Sequence, residues 1–153
     1  MIARKLIAIV DDDADDRYLV EETFQQAGYE GAFRQFENGP QFLEYLHKTS
    51  TPDLPGILFL DLNMPVIDGK QVLKEVKRND RVSQIPVIVF TTAISDLEKR
   101  LCFQMGASAY ITKPSSLSEM LEMVKGISLV FGIPLQTDDN DFSIGSSLYL
   151  STI

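Results

Sequence analysis

The sequence has one cysteine and no tryptophan, and its apolar runs are short. Cys102 by itself supplies neither an internal disulfide nor a thiolate metal cluster, which agrees with a reducing compartment. The apolar run near the start, residues 6–10, is far shorter than the core of a signal peptide, and no segment approaches membrane-spanning length. These absences predict a cytoplasmic protein without a membrane segment.

Basic residues are also scarce, with 14 lysines and arginines against 22 acidic residues and a net charge of -8. Because no basic run is present, the charge disfavours a nucleic-acid partner. What the chain does have is apolar material: 44% of its 153 residues are hydrophobic, enough for one sizeable core. We therefore expect a single domain over residues 1–131.

The tail, residues 132–153, departs from the pattern before it. Three aspartates, Asp138, Asp139 and Asp141, lie among polar residues, and an alternation of apolar and polar residues follows from Ser147 to Ile153. A short strand is unstable alone, so this segment is expected to pair with an exposed sheet edge, to dock on its own domain or to remain disordered. Its polar composition and terminal position favour flexibility, with a role in self-association as the alternative.

Short apolar runs alternate with segments of helical period, which predicts βα units and a parallel sheet covered on both faces. The predicted strands are residues 6–10, 32–36, 56–60, 86–90 and 109–112. The first, third and fourth are almost wholly apolar, as central strands buried on both faces should be. The fold class is therefore α/β, with a five-stranded, doubly wound parallel sheet.

The fifth predicted helix shows how the helices are identified. Ser116 and Glu119 form a capping box at its start. Leu117, Leu121 and Val124 are spaced as an apolar stripe and are predicted to face the sheet.

Polar residues follow the strands at the edge where ligands bind in open parallel sheets. They are Asp11, Asp12 and Asp13 after the first strand, Asp61 after the third, Thr91 after the fourth and Lys113 after the fifth. Clustered carboxylates repel one another unless a cation neutralises them, and hard oxygen ligands suit Mg2+. A lysine and a hydroxyl in the same pocket would stabilise a phosphoryl group under attack by a carboxylate.

Structural explanations compete with these assignments. Asp13 is better explained as the start of a helix, because acids favour helix N-termini, whereas Asp11 and Asp12 are assigned to the site. Asp61 follows a buried apolar strand, where a carboxylate without a partner is costly, so a functional role is favoured. Thr91 and Lys113 gain their significance only from their joint placement.

Four motifs, IAIVDDD, LFLDLNMPVIDG, PVIVFTT and GASAYITKP, resemble the response-regulator receiver family in order and spacing over roughly residues 5–130. The resemblance implies a flavodoxin-like, receiver-type fold with Asp61 as phosphoacceptor. It also implies an Mg2+ site made by Asp11, Asp12, Asp61 and the backbone carbonyl of Asn63.

The same resemblance implies a switch. Thr91 matches the hydroxyl that moves toward the phosphoryl group, Tyr110 the aromatic residue whose rotamer follows it, and Lys113 the ammonium that contacts it. The Lys113–Pro114 bond is expected to be cis. Thr92 is branched where the family often has a small residue, which would narrow the path to Asp61.

The function implied is that of a two-component response regulator, phosphorylated by a histidine kinase or histidine phosphotransfer protein. Such a protein is a phosphoacceptor switch that assists its own phosphorylation and dephosphorylation, not an enzyme acting on other substrates. Its signal would pass through protein contacts, with the face of the fourth helix, fifth strand and fifth helix binding a partner or a second copy.

Three other functions stay open. An Mg2+-dependent phosphohydrolase would want a second acid near the nucleophile, where Asn63 stands. A flavodoxin-like cofactor binder would need a phosphate-cradling loop in place of the acidic residues after the first strand. A scaffold independent of phosphorylation would be expected to lack Asp61 or Lys113, and both are present.

Overall fold

The computed structural model describes residues 5–136 and 148–150. The strands are β1 Ile7–Val10, β2 Phe33–Phe36, β3 Ile57–Leu60, β4 Val87–Thr91, β5 Ala109–Thr112 and β6 Leu148–Leu150. The helices are α1 Ala14–Gln26, α2 Gly39–Lys48, α3 Gly69–Arg78, α4 Asp96–Gln104 and α5 Leu117–Phe131, with a 3-10 turn at Thr51–Asp53. No helix within the described ranges is long and apolar enough to cross a bilayer.

The first five strands form a parallel sheet in the order β2-β1-β3-β4-β5, and this confirms the predicted fold class. The chain runs from β1 outward to β2 and then returns to the other side of β1 with β3. The strand order therefore reverses between β1 and β3. In such sheets this switch point opens a crevice at the carboxyl ends of the strands.

The sheet separates two apolar layers. Alternate residues of β1 point to opposite faces, so Ala8 and Val10 lie in one layer while Ile7 and Ile9 lie in the other. The first layer is covered by α2, α3 and α4, and the second by α1 and α5. Burial on both faces explains why the central strands are apolar without alternation.

The stripe predicted for α5 is partly wrong. Leu117 is 69% exposed although it has helical spacing with the buried residues. The buried face is formed by Met120, Met123, Val124 and Ile127, and Leu121 packs against it partly buried. Leu117 is the first residue of α5, in the turn nearest the carboxyl edge of the sheet. Helical periodicity identifies a side of the helix but does not show how far the opposing sheet extends.

Part of the tail adds a sixth strand. Residues 148–150 pair antiparallel with β5, with Leu150 opposite Ala109 and Leu148 opposite Ile111. Pairing with a sheet edge is one of the three outcomes that the sequence left open for the final alternating segment, although disorder is the outcome that the sequence favours. Residues 137–147 and 151–153 lie outside the described part of the chain. The division of the chain at residue 131 and the flexibility of the tail stay predictions.

Candidate functional site

Three carboxylates meet at the switch point. Asp11 and Asp61 directly follow neighbouring strands whose last residues, Val10 and Leu60, are in register, and the Asp61 amide donates to the Val10 carbonyl at 3.0 Å. Asp11, Asp12 and Asp61 each offer a carboxylate oxygen, and these oxygens lie within 4.8 Å of one another. Asp11 and Asp61 are buried whereas Asp12 is exposed, so the cluster opens to solvent on the Asp12 side.

The cluster is electrostatically unfavourable as it stands. Burial raises the pKa of Asp61 to about 6, and repulsion from the Asp11 carboxylate adds to the shift. Burial also raises the pKa of Asp11, although hydrogen bonds from Lys113 and from the Asp13 amide oppose it. A divalent cation held by oxygen ligands would relieve this repulsion, and the donor set of three close carboxylates fits such an ion.

Lys113 brings a positive charge to the same edge. Its Nζ lies 2.9 Å from Asp11 Oδ2 and 3.9 Å from Asp61 Oδ2. Burial by itself would lower the pKa of this lysine, but hydrogen bonds to Asp16 and Asp11 outweigh it and leave the pKa raised. The ammonium is therefore held protonated beside the proposed phosphoacceptor.

The expected cis bond before Pro114 is wrong, because no peptide bond in the described residues is cis. The ordinary trans preference of an X–Pro bond is retained. The lysine is oriented instead by contacts along its length. Its amide donates to the Thr91 carbonyl at 2.8 Å, and its Nζ lies 5.7 Å from the ring centre of Phe90 and 2.7 Å from Asp16 Oδ2.

Sequence reasoning missed Asp16. It lies in the first turn of α1, where an acid has an ordinary explanation in the helix dipole. The signal that was available is its position: Asp16 lies three residues after Asp13, in the first turn of a helix that starts directly after the acidic run.

Thr91 and Tyr110 connect the site to the loop between β4 and α4. The buried Thr91 hydroxyl accepts from the Asn63 amide Nδ2 at 3.4 Å and from the Ala93 N–H at 3.3 Å. The Tyr110 hydroxyl donates to the Ala93 carbonyl at 3.0 Å, and burial raises the pKa of this tyrosine to about 12. Both residues therefore meet at Ala93, from opposite ends of its backbone.

Asn63 contacts both Asp61 and Thr91. Its amide N–H donates to Asp61 Oδ1 at 3.3 Å, and its side chain reaches Thr91. The structure thus brings together the predicted residues Asp61, Asn63 and Thr91. The role of the Asn63 carbonyl as a metal ligand stays a prediction.

The loop after Asp61 is sharply folded. The Ile67 amide donates to the Pro65 carbonyl at 2.9 Å, a γ-turn whose central residue, Val66, has φ 70° and is 95% exposed. A Cβ atom at position 69 would collide with the carbonyl oxygen of Asp61, so Gly69 is required there. Asp68 caps α3 by accepting from the Gln71 amide at 2.9 Å. Pro65, Val66 and Gly69 therefore shape the loop after Asp61, and Asp68 caps α3 and is not one of the clustered carboxylates.

Comparison with known proteins agrees with this geometry. Residues 7–125 match the family described as response regulator receiver domain. The chain is 32% identical over 124 residues to a probable methanogenesis regulatory protein, FilR2, of Methanothrix harundinacea, covering 80% of each protein. It is 30% identical to the response regulator Rcp1 of Synechocystis, covering 80% of this chain and 86% of Rcp1. The crystal structure of the Mn(2+)-bound form of Rcp1 superposes with a TM-score of 0.74 at 28% identity, covering 88% of this chain and 97% of that one.

Proposed function

The chain belongs to the response regulator receiver domain family of two-component signalling, and we propose that Asp61 is its phosphoacceptor. The phosphoryl group would come from a histidine kinase or a histidine phosphotransfer protein, in an Mg2+-dependent reaction in the cytoplasm. The observation that carries the proposal is the buried Asp61 carboxylate, clustered with Asp11 and Asp12 and facing the Lys113 ammonium at 3.9 Å.

The proposed reaction is an in-line displacement at phosphorus. An Asp61 carboxylate oxygen forms the new P–O bond while the P–N bond of the phosphohistidine breaks, and its electron pair stays on the imidazole nitrogen. With a pKa of about 6, Asp61 is mostly ionised at pH 7 and available as the nucleophile. Lys113 neutralises charge on the transferred oxygens, and it needs no proton transfer to do so.

The proposed cofactor is Mg2+, held by Asp11, Asp12, Asp61 and the backbone carbonyl of Asn63. Ligands made only of oxygen favour a hard cation over a softer transition metal. When bound, the ion would neutralise the carboxylates and the phosphoryl oxygens together. The related Rcp1 structure is described with Mn(2+), a divalent ion with similar oxygen preference.

The proposed output is a change at the face formed by α4, β5 and α5. Phosphorylation would draw the Thr91 hydroxyl away from Asn63 and Ala93, and Tyr110 would follow through its bond to the Ala93 carbonyl. Ile94 in the loop after β4, and Leu97 and Leu101 on α4, are exposed apolar residues. Because β6 pairs with the edge of β5, a partner or a second copy would dock on these residues and not on that edge.

The first prediction tests the phosphoacceptor. A small-molecule phosphoryl donor such as acetyl phosphate, supplied with Mg2+, should add one phosphoryl group to the protein, because nucleophile, lysine and metal ligands are all on this chain. Intact-mass analysis measures the addition. Asp61→Asn should show none, and a chelator should suppress it in the wild type.

Asp13→Asn is the matched control. It changes a neighbouring exposed acid but keeps a residue that caps α1 well, so it should take up the phosphoryl group as the wild type does. Equal stoichiometric addition to Asp61→Asn, or full addition in chelator, would show that the proposal is wrong.

A further inference from the structure

The shortest of the three charge contacts of Lys113 is not to the proposed phosphoacceptor. Its Nζ lies 2.7 Å from Asp16 Oδ2, 2.9 Å from Asp11 Oδ2 and 3.9 Å from Asp61 Oδ2. Asp16 is not among the three carboxylates that cluster as candidate metal ligands. A second acid therefore shares the lysine with the site.

Asp16 is firmly placed to hold that ammonium. Its backbone N–H donates to Oδ1 of Asp13, which caps α1, so the residue is anchored in the first turn of the helix. The Lys113 side chain is 12% exposed and that of Asp16 is 32% exposed. This pair is less screened by water than an ordinary surface ion pair.

The geometry sets up a competition. An ammonium has three protons, and two of the hydrogen bonds here go to Asp16 and Asp11. A phosphoryl oxygen on Asp61 would compete with these two carboxylates for the ammonium, which now lies 2.7 Å from Asp16 Oδ2 and 3.9 Å from Asp61 Oδ2. Asp11 belongs to the cluster around Asp61, whereas Asp16 does not, so an approach of the ammonium to Asp61 would weaken the contact to Asp16 first.

Resting on the proposed function, we propose that Asp16 is a positioning residue that holds Lys113 back from Asp61 in the unphosphorylated protein. Asp16 and the phosphoryl group compete for the same ammonium. The contact stabilises the unphosphorylated state and must weaken as the phosphoryl group is transferred, so it slows phosphorylation. Removing the carboxylate without removing the lysine should accelerate the reaction.

The experiment compares Asp16→Asn with Asp15→Asn under saturating Mg2+ and a small-molecule phosphoryl donor. Both variants remove one negative charge from the first turn of α1, so the general attraction of an anionic donor changes equally. No hydrogen bond or ion pair joins the Asp15 side chain to Lys113. We expect Asp16→Asn to be phosphorylated about two- to fivefold faster than Asp15→Asn, the rate equivalent of one partly exposed ion pair.

Two further measurements exclude a merely structural effect. Asp16→Glu restores a carboxylate within reach of Lys113 and should return the rate toward the wild-type value. Affinity for Mg2+, measured by calorimetry, should be the same within about twofold in Asp16→Asn and Asp15→Asn, because Asp16 is outside the metal cluster.

The outcomes separate this inference from the proposed function. If the wild type takes up no phosphoryl group on Asp61, the proposed function is wrong. If the wild type is phosphorylated but Asp16→Asn is no faster than Asp15→Asn, the lysine is not held back and only this inference is overturned. A slower Asp16→Asn would mean that Asp16 assists the lysine. An acceleration matched by a change in Mg2+ affinity would assign the effect to the metal and also overturn the inference.

Discussion

Asp61 shows at the scale of one residue how function opposes stability. A carboxylate buried at the end of an apolar strand costs free energy, and among the described residues only the backbone amide of Asn63 donates a hydrogen bond to it. The nearby Lys113 ammonium compensates in part, at 3.9 Å. The remaining cost is what a bound cation would relieve.

The second prediction concerns the pH dependence of folding without divalent cations. The pKa of Asp61 is about 6 in the folded protein against an ordinary value of 3.8, so the folded state binds the proton more tightly than the unfolded state. The free energy of unfolding should therefore fall as pH rises from about 4 through 6. Urea denaturation in chelator should show a steeper fall for the wild type than for Asp61→Asn.

Added Mg2+ should reverse the loss at pH 7 in the wild type, because an ion that binds only the folded protein stabilises it by mass action. Identical pH profiles for the wild type and Asp61→Asn would contradict the raised pKa. The shift of Asp11 has the same sign and remains in Asp61→Asn, so the fall should be reduced in that variant and not abolished.

The third prediction concerns Val66, a β-branched residue at φ 70°. A γ-turn of positive φ strains β-branched side chains most, and asparagine is among the side chains that positive φ disfavours least. Val66→Asn should raise the free energy of unfolding by about 1 kcal/mol, the typical cost of one such strained residue. Ile94→Asn is the matched control, because it also removes an exposed apolar side chain from a loop but from a backbone without positive φ, and it should change stability by less than about 0.5 kcal/mol. Equal effects of the two substitutions would show that Val66 stores no strain.

At the scale of the element, α5 shows that residues with the same helical spacing can differ in burial. Leu117 and Met120 are three residues apart on one side of the helix, yet Leu117 is 69% exposed and Met120 is 2% exposed. The difference arises because the first turn of α5 lies at the edge of the sheet, whereas the next turns cover it. Position along the sheet therefore decides burial within one stripe.

The fourth prediction follows from this difference. Met120→Ala should lower the free energy of unfolding by about 2–5 kcal/mol, because it removes buried contacts and leaves a cavity. Leu117→Ala should change it by less than about 0.5 kcal/mol, because its side chain is exposed and alanine suits a helix. Chemical denaturation measures both variants. A large loss from Leu117→Ala would mean that another segment covers this residue.

At the scale of the whole molecule, Thr91 lies between the carboxylate cluster and the face formed by α4, β5 and α5. Its hydroxyl is bonded to Asn63 on the side of Asp61 and to Ala93 at the start of the loop that leads to α4. Complete conversion between two states takes about 5.5 kcal/mol of differential binding. One hydroxyl contact and one ring rotation supply less than that, so we expect a partial shift of the equilibrium.

The fifth prediction tests this link by NMR with a beryllofluoride phosphoryl mimic and Mg2+. Backbone amide shifts should change both around Asp61 and at Ala93, Ile94 and Leu97. In Thr91→Ala the changes near Asp61 should remain while those at the loop and α4 should be lost. This variant has no hydroxyl that could bond the phosphoryl mimic and release Ala93. Thr91→Ser keeps the hydroxyl and serves as the control. Unchanged α4 shifts in the wild type would contradict the proposed output face.

The sequence could predict the fold because the apolar composition of the central strands shows that they are buried on both faces. Residues 57–60 and 87–90 are apolar throughout, as strands of a sheet covered on both faces are, and the structure buries all of them. The acidic cluster was predictable for a related reason. Parallel strands end at one edge, so residues that directly follow β1 and β3 must lie together whatever the helices do.

Tertiary structure alone decided the details that depend on which elements face each other across long stretches of chain. Lys113 and Asp16 are 97 residues apart, and their contact exists only because α1 begins and β5 ends at the same carboxyl edge of the sheet. The exposure of Leu117 likewise depends on where the sheet ends. Local pattern determines which residues are apolar, turn-forming or charged, because those preferences act over a few residues. Which charge a lysine pairs with is decided by packing, because a salt bridge depends on distances that local sequence does not set.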